Sequence, residues 1–191
     1  MRAWPKAMNW AVFDTAPYHD LPEHAYIYAI PKAVAQRFHI RKYGFHGISH
    51  QWAFNQATKQ LRRSPRAVNM VTIHLGAGDS MTLWSRGRAI ETTMGFTPLE
   101  GLTMSTRSGD LDPMIPLWLQ QHGFSLRQVI DMLEKKSGLF GLTGLKDMRD
   151  IVAAAGHPIA GWPNKRWSPS QRRQAKVAID LFTYDVRRYL S

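Results

Sequence analysis

Cysteine is absent from this 191-residue chain. That excludes disulfides and thiolate metal sites, so cohesion has to come from burial and hydrogen bonding. Long apolar runs are missing too: none reaches the roughly 18 residues that span a bilayer. The opening residues Met1–Lys6 carry no apolar core of the signal-peptide kind. Neither internal repeats nor low-complexity tracts occur. Acidic residues are scarce, 14 against 25 Lys and Arg, leaving a formal charge of +11. Such an excess favours anionic partners, with nucleotides, phosphates and carboxylates foremost. Nucleic acid is an alternative through Lys165–Arg188, which holds seven basic and two acidic residues, but no recognition motif accompanies it. At 44% hydrophobic and 20% charged, the chain fits a soluble globular protein of one large or two small domains. The expectation is a cytoplasmic protein with neither membrane nor nucleic-acid partners.

Periodicity and punctuation predict a sheet followed by helices. Trp10–Phe13 reads as a short buried strand ending at Asp14. Pro17, Pro22 and Pro31 break the next stretch into loop with short helical pieces. A helix is expected over Ile48–Leu61, opening just after His46-Gly47. Strands are expected over Val68–His74, Asp79–Trp84 and Arg88–Thr92, the last two joined by a turn at Ser85-Arg86-Gly87. Beyond them, Asp112-Pro113 reads as an N-cap with Pro at N1 of a helix that Gly123 closes. Ser125 with Gln128 is a capping box opening a helix that stops at Gly138, and Ser168 with Gln171 is another. The last helix places Ala175, Ile179, Phe182, Val186 and Tyr189 on one face. Residues 155–168, rich in Gly, Pro and Trp, read as a linker. The class is α/β with helices following a mixed sheet, residues 1–154 forming the core and 155–191 the linker and amphipathic helix.

The loops between these elements carry the chemistry. In His74-Leu75-Gly76-Ala77-Gly78 the two glycines let the backbone bend tightly and present N–H groups to an anion without an obstructing Cβ. An ordinary hairpin turn would use the same residues. His46 lies at a helix start, where partial positive charge and an imidazole suit an anion; a histidine that only satisfies the helix end is the alternative. His50, one turn on, makes a metal pair with His46 conceivable, though no third ligand is evident. Arg107, in a loop before a helix, is either a clamp for a carboxylate or phosphoryl group or a partner of Asp110 or Asp112. Asp14 at a strand end is either a ligand-side or metal-side carboxylate or a turn cap. Asp147-Met148-Arg149-Asp150 is either a ribose contact or an N-cap and ion pair opening a helix over Ile151–Ala155.

The segments VFDTA (Val12–Ala16), PEHAY (Pro22–Tyr26), RKYGFHGISH (Arg41–His50), IHLGAG (Ile73–Gly78), TTMGFTPLEG (Thr92–Gly101), TRSGDLDP (Thr106–Pro113), the run Lys136–Gly144 and DMRDI (Asp147–Ile151) occur in an order and spacing that resembles the acetate kinases. The resemblance runs from about Val12 to Leu190. It implies an actin-like, sugar-kinase-like ATPase built on RNase H-like α/β domains, present here incompletely. It implies transfer of the γ-phosphoryl of ATP to acetate, giving ADP and acetyl phosphate, with Mg²⁺. Arg107 would bind the carboxylate and the phosphoryl in flight, and His46 would stabilise the transition state. Asp14 would help hold Mg²⁺ or orient the reactants. Phe45 and Pro98 would line the pocket for the acetate methyl group. His74, Leu75, Gly76, Ala77 and Gly78 would hold ATP phosphates, and Asp147, Met148 and Arg149 would face the nucleotide.

The sequence also departs from the family pattern. An N-terminal Asn-Ser motif, a second substrate arginine, the Gly-rich adenine site and a Mg²⁺-linked glutamate have no counterpart. HLGAG stands where HLGNG is usual, so Ala77 lacks an amide side chain. Asp79 takes the place of a small neutral residue, and Glu91 that of an Asp. The expectation is a middle segment of a family member, impaired or inactive by itself. The alternatives are a catalytically dead interaction module and a propionate or butyrate kinase segment; the expected partners are acetate or another short-chain carboxylate and a second copy of the chain in a homodimer.

Overall fold

The computed structural model describes residues 7–163 and 165–191. The signal-peptide reading of Met1–Lys6 lies outside the described residues. A 3₁₀ turn at Ala16–Tyr18 leads to α1 (Glu23–Tyr26), α2 (Lys32–Phe38) and α3 (Gly47–Gln60). A second 3₁₀ turn, Pro65–Ala67, precedes β1 (Met70–Leu75), β2 (Asp79–Ser85) and β3 (Arg88–Thr92). After an irregular stretch come α4 (Met114–Gln121), α5 (Leu126–Lys135), α6 (Gly138–Thr143), α7 (Met148–Ala154) and α8 (Pro169–Leu190).

The three strands form an antiparallel meander in the order β1-β2-β3, so the expected mixed sheet is corrected to an antiparallel one. The cause is loop length. Connections as short as Gly76–Gly78 and Arg86-Gly87 can join only antiparallel neighbours, whereas parallel ones need a crossover. The expected strand at Trp10–Phe13 does not form: these residues have no regular structure, and Trp10 is 81% exposed. Four apolar residues without a paired neighbour leave their backbone groups unsatisfied, so the segment turns instead, Ala16 N–H donating to the Phe13 carbonyl. The helix after Ser125 stops at Lys135 rather than at Gly138, which opens α6. α7 begins at Met148, ahead of the expected Ile151. α4 starts after Pro113, one residue later than expected, with the Asp112 carboxylate accepting from Met114 N–H at 2.8 Å. Both capping boxes form as the sequence predicts.

Two apolar clusters hold the molecule together. Tyr18, Leu21, Phe54, Trp84 and Ala89 seat α3 on the sheet, with the Phe54 and Trp84 rings stacked at 4.6 Å. Leu139, Ile151, Ala154, Ala175 and Ala178 join α6, α7 and α8. The buried carboxylate of Asp185 accepts from Thr103 N–H and hydroxyl, at 3.3 and 2.5 Å, and so fixes α8 to the loop before α4. That loop is itself a packed unit: Met94, Leu102 and Met104 are fully buried. Gly138 (φ +60°) makes its closure possible, since a Cβ there would sit 2.2 Å from the Met104 carbonyl oxygen.

Candidate active site

α3 begins at an unusual corner. His46, its N-cap, is in the left-handed region at φ 58° and ψ 22°, a conformation that costs a non-glycine residue on the order of 1 kcal/mol. The Asp14 carboxylate holds it there, accepting from His46 N–H at 2.6 Å and Ile48 N–H at 3.3 Å, while the Asp14 carbonyl accepts from Gly47 N–H at 2.9 Å. Asp14 is therefore a turn residue that caps α3, not the end of a strand. Its position satisfies amides that a helix start leaves open, and its charge suits the positive end of the helix.

The imidazoles of α3 point at the sheet. His46 Nδ1 lies 2.8 Å from the Ser80 hydroxyl, and His50 Nε2 lies 2.7 Å from the same oxygen. His50 Nδ1 lies 2.8 Å from Thr72 Oγ1. The His46–His50 metal pair is thereby corrected: both ring nitrogens of His50 are committed to hydroxyls. His74 stacks on His46 with ring centroids 4.1 Å apart and is held by Ser49 at 2.9 Å. Burial, then the neighbouring His74, lowers the pKa of His46; the same causes lower that of His50 to about 4. Both rings are neutral at pH 7.

Arg107 reaches this corner from the loop before α4. Its Nη1 donates to the Pro98 carbonyl at 3.3 Å and lies 3.8 Å from Met104 Sδ. Among the described residues it forms no ion pair; Asp110 is taken by Arg188 and Tyr189, and Asp112 by Met114 N–H. Gly78 stands between the two groups. A Cβ built on it would lie 2.8 Å from Arg107 Nη1 and 3.3 Å from the His46 ring. One guanidinium, one imidazole and a bare stretch of backbone thus converge on one position. Phe45 adjoins His46 in sequence, its carbonyl accepting from the Tyr18 hydroxyl at 3.0 Å, and Pro98 is half-buried beside Arg107.

The strand alternation sends β2 side chains to opposite faces of the sheet. Ser80 faces the imidazoles. Asp79 faces a separate cavity of about 470 Å³, whose walls include Leu75, Gly76, Ala77, Asp147 and Met148. Neither His46 nor Arg107 borders it. The Asp79 carboxylate is 4% exposed and accepts from Gly76 N–H at 2.9 Å. Burial pushes its pKa up to about 6. It therefore occupies an amide that the glycine loop would otherwise offer to an anion.

Asp147 caps α7, accepting from Arg149 N–H at 2.9 Å, and its two oxygens take a forked pair with the Arg149 guanidinium at 2.9 and 2.7 Å. Arg149 lies over the Trp162 ring at 3.7 Å, away from the cavity wall. The N-cap and ion pair is thus the arrangement present. Glu91 is drawn off to Lys42 at 2.7 Å. No three His, Asp or Glu side chains gather among the described residues in a set that would hold a metal. Sequence reasoning missed Ser80, Thr72 and Ser49. The available signal was the four-residue spacing of His46 and His50, which puts both rings on one face of α3 and requires hydroxyl partners opposite.

Residues 1–191 match the family model described as the acetokinase family. The chain is 44% identical over 180 residues to an acetate kinase of Desulfotalea psychrophila, covering 94% of this chain and 41% of that protein. It is 37% identical over 191 residues to an acetate kinase of Campylobacter jejuni, covering 45% of it. The fold superposes on a crystal structure of Porphyromonas gingivalis acetate kinase with a TM-score of 0.83 at 32% identity, covering 94% of this chain and 42% of that one. A propionate kinase from Francisella tularensis gives 0.82 at 38% identity, with 94% and 43% coverage. The chain thus spans less than half the length of the relatives it matches. Family match, identity and superposition agree with the loop geometry, and the chain belongs to the acetokinase family.

Proposed function

We propose that the cleft between His46, Gly78 and Arg107 takes part in moving the γ-phosphoryl of ATP onto acetate or another short-chain carboxylate. A carboxylate oxygen forms a bond to the γ-phosphorus, the bond from phosphorus to the bridging oxygen breaks, and its electron pair leaves on ADP. Such a reaction needs positioning and charge neutralisation rather than a covalent intermediate on the protein. The observation that carries this assignment is the approach of Arg107 Nη1 and the His46 ring to the same Gly78 position, at 2.8 and 3.3 Å from its Cβ point. Arg107, without a carboxylate partner among the described residues, is the group for the carboxylate and the phosphoryl in flight. His46 supports the transition state, and Phe45 and Pro98 border the methyl group. The loop His74–Gly78 takes phosphates, with Asp147 and Met148 on the nucleotide side; the pairing of Arg149 with Asp147 and Trp162 leaves it as a support. Asp14 acts by positioning α3. Mg²⁺ is commonly held by one or two carboxylates plus substrate phosphates. The Asp14 carboxylate is committed to α3 amides and no donor cluster accompanies it among the described residues, so these residues do not by themselves fit the ion.

In the same assignment residues 1–154 are the RNase H-like core of an actin-like ATPase domain, and 155–191 are a linker and an amphipathic helix. The second substrate arginine that the family resemblance implies has no counterpart in this sequence, and losing such a charge-stabilising group costs about 10²–10³-fold in rate. Acetyl phosphate formation by this chain alone is therefore expected to be negligible in a hydroxamate assay, with acetate or propionate. Binding tests the site directly. In amide spectra of the ¹⁵N-labelled chain, ADP and inorganic phosphate are expected to shift Gly76, Ala77 and Gly78, and Arg107→Ala to abolish the phosphate response. Shifts confined to other surfaces would overturn the assignment.

A further inference from the structure

The hydroxyls and rings behind His46 form one continuous buried series. The Trp84 indole N–H donates to Thr72 Oγ1 at 2.8 Å, and Thr72 Oγ1 lies 2.8 Å from His50 Nδ1. His50 Nε2 lies 2.7 Å from Ser80 Oγ, which lies 2.8 Å from His46 Nδ1. Trp84, His50 and Ser80 are each no more than 1% exposed, so water does not interrupt the series.

Its direction follows from donor counting. An indole nitrogen only donates, and a neutral imidazole has one donor and one acceptor. The Thr72 hydroxyl has one proton and two places to send it: His50 Nδ1 at 2.8 Å or the Thr82 carbonyl at 3.5 Å. The shorter contact takes it, because hydrogen bonds weaken toward 3.5 Å. His50 Nδ1 is then an acceptor, and its Nε2–H donates to Ser80. The Ser80 proton in turn goes to His46 Nδ1, which leaves the His46 proton on Nε2. The opposite direction spends the Thr72 proton on the longer contact and leaves a bare lone pair on His46 Nε2. The Gly78 Cβ point is 3.4 Å from that nitrogen and 2.8 Å from Arg107 Nη1.

We propose that Trp84, Thr72, His50 and Ser80 are a buried hydrogen-bond wire that fixes His46 as the Nε2–H tautomer, so that a neutral imidazole offers an N–H donor beside Arg107. His50 and Ser80 are positioning residues, acting through His46. The purpose of that donor, to hold an oxygen of the transferring phosphoryl, rests on the function proposed above; the tautomer does not. Neutrality matters here, since a ring that stays uncharged among His74, Asp14 and Arg107 can be oriented by its second nitrogen alone.

Long-range ¹H–¹⁵N correlation spectra of the imidazoles at neutral pH read the tautomer without any ligand. His46 and His50 are both expected as Nε2–H in the native chain. Ser80→Ala is expected to release His46 into exchange between tautomers, and Ser80→Thr, which keeps the hydroxyl, to preserve Nε2–H. A His46 proton on Nδ1 in the native chain would overturn the wire, and this measurement stands even if Ser80→Ala does not fold. An unchanged His46 signal in a folded Ser80→Ala would overturn it as well. If Nε2–H is found while inorganic phosphate leaves Gly76–Gly78 unshifted, the wire holds and the phosphoryl-transfer function falls.

Discussion

Asp79 and Gly78 show how much a single residue decides. Asp79 has its pKa raised from 3.8 to about 6 by burial, so the folded state holds its proton more tightly than the unfolded chain does. Between those values the native state binds more protons, and stability falls as pH rises, by at most about 3 kcal/mol. His46 and His50 act in the opposite sense: both pKa values are lowered by burial, so stability is lost as pH falls below 6.5, for His50 down to about 4. Only a difference curve separates the two. Asp79→Asn, which keeps an acceptor for Gly76 N–H, is expected to remove the Asp79 slope. Urea denaturation of both proteins across pH 4–7 should show Asp79→Asn gaining stability relative to the parent as pH rises, and a constant offset would refute the burial argument. The same change removes a carboxylate from the glycine loop and should tighten ADP binding. At Gly78 a methyl group meets the tip of a long side chain, Arg107 Nη1 at 2.8 Å. Gly78→Ala is expected to displace the guanidinium, cost less than about 1 kcal/mol of stability, and abolish the phosphate response in the titration. Retention of that response would separate Arg107 from the loop.

At the scale of elements, α3 is the piece that makes the site. Its start is held by a carboxylate 32 residues earlier in the chain, through the bond from His46 N–H to Asp14. Asp14→Ala leaves the His46 and Ile48 amides unpaired and removes the support for a left-handed histidine. A loss of about 1–2 kcal/mol is expected in equilibrium unfolding, with Asp14→Asn close to the parent because Asn caps as well as Asp. Equal losses from both variants would point to the charge rather than the cap. α8 was legible in the sequence because its capping box and apolar stripe are local signals. Its buried face also includes Ala178 and Asp185, and the second of these answers to Thr103, a partner far away in sequence.

Over the whole molecule, a high positive charge coexists with uncovered apolar surface. Val71, Ile73, Leu75 and Leu83 on the sheet are between 37% and 61% exposed, and Trp118 on α4 is 55% exposed. Apolar area on this scale favours association, while a formal charge of +11 opposes it. Light scattering after size exclusion is therefore expected to give a mass above 21.8 kDa, rising with salt as repulsion is screened. A monomer at every ionic strength would argue against self-association. No helix among the described residues is long and apolar enough to cross a membrane.

The sequence by itself determined what local chemistry controls. Glycines at 76 and 78 set a tight corner, Ser-x-x-Gln boxes opened α5 and α8, and the quoted motifs identified the family. Tertiary structure decided what depends on partners distant in sequence. Trp10–Phe13 had the composition of a strand but no paired neighbour, and Asp14, readable as a ligand or a turn cap, accepts from an amide across the chain. Whether Arg107 faced Asp110 or the glycine loop hinged on α8, whose Arg188 and Tyr189 claim that aspartate. The physical reason is common to all three. Hydrogen-bond and charge partners compete, and the winner is set by which groups packing brings within about 3 Å, a distance that residue spacing does not encode.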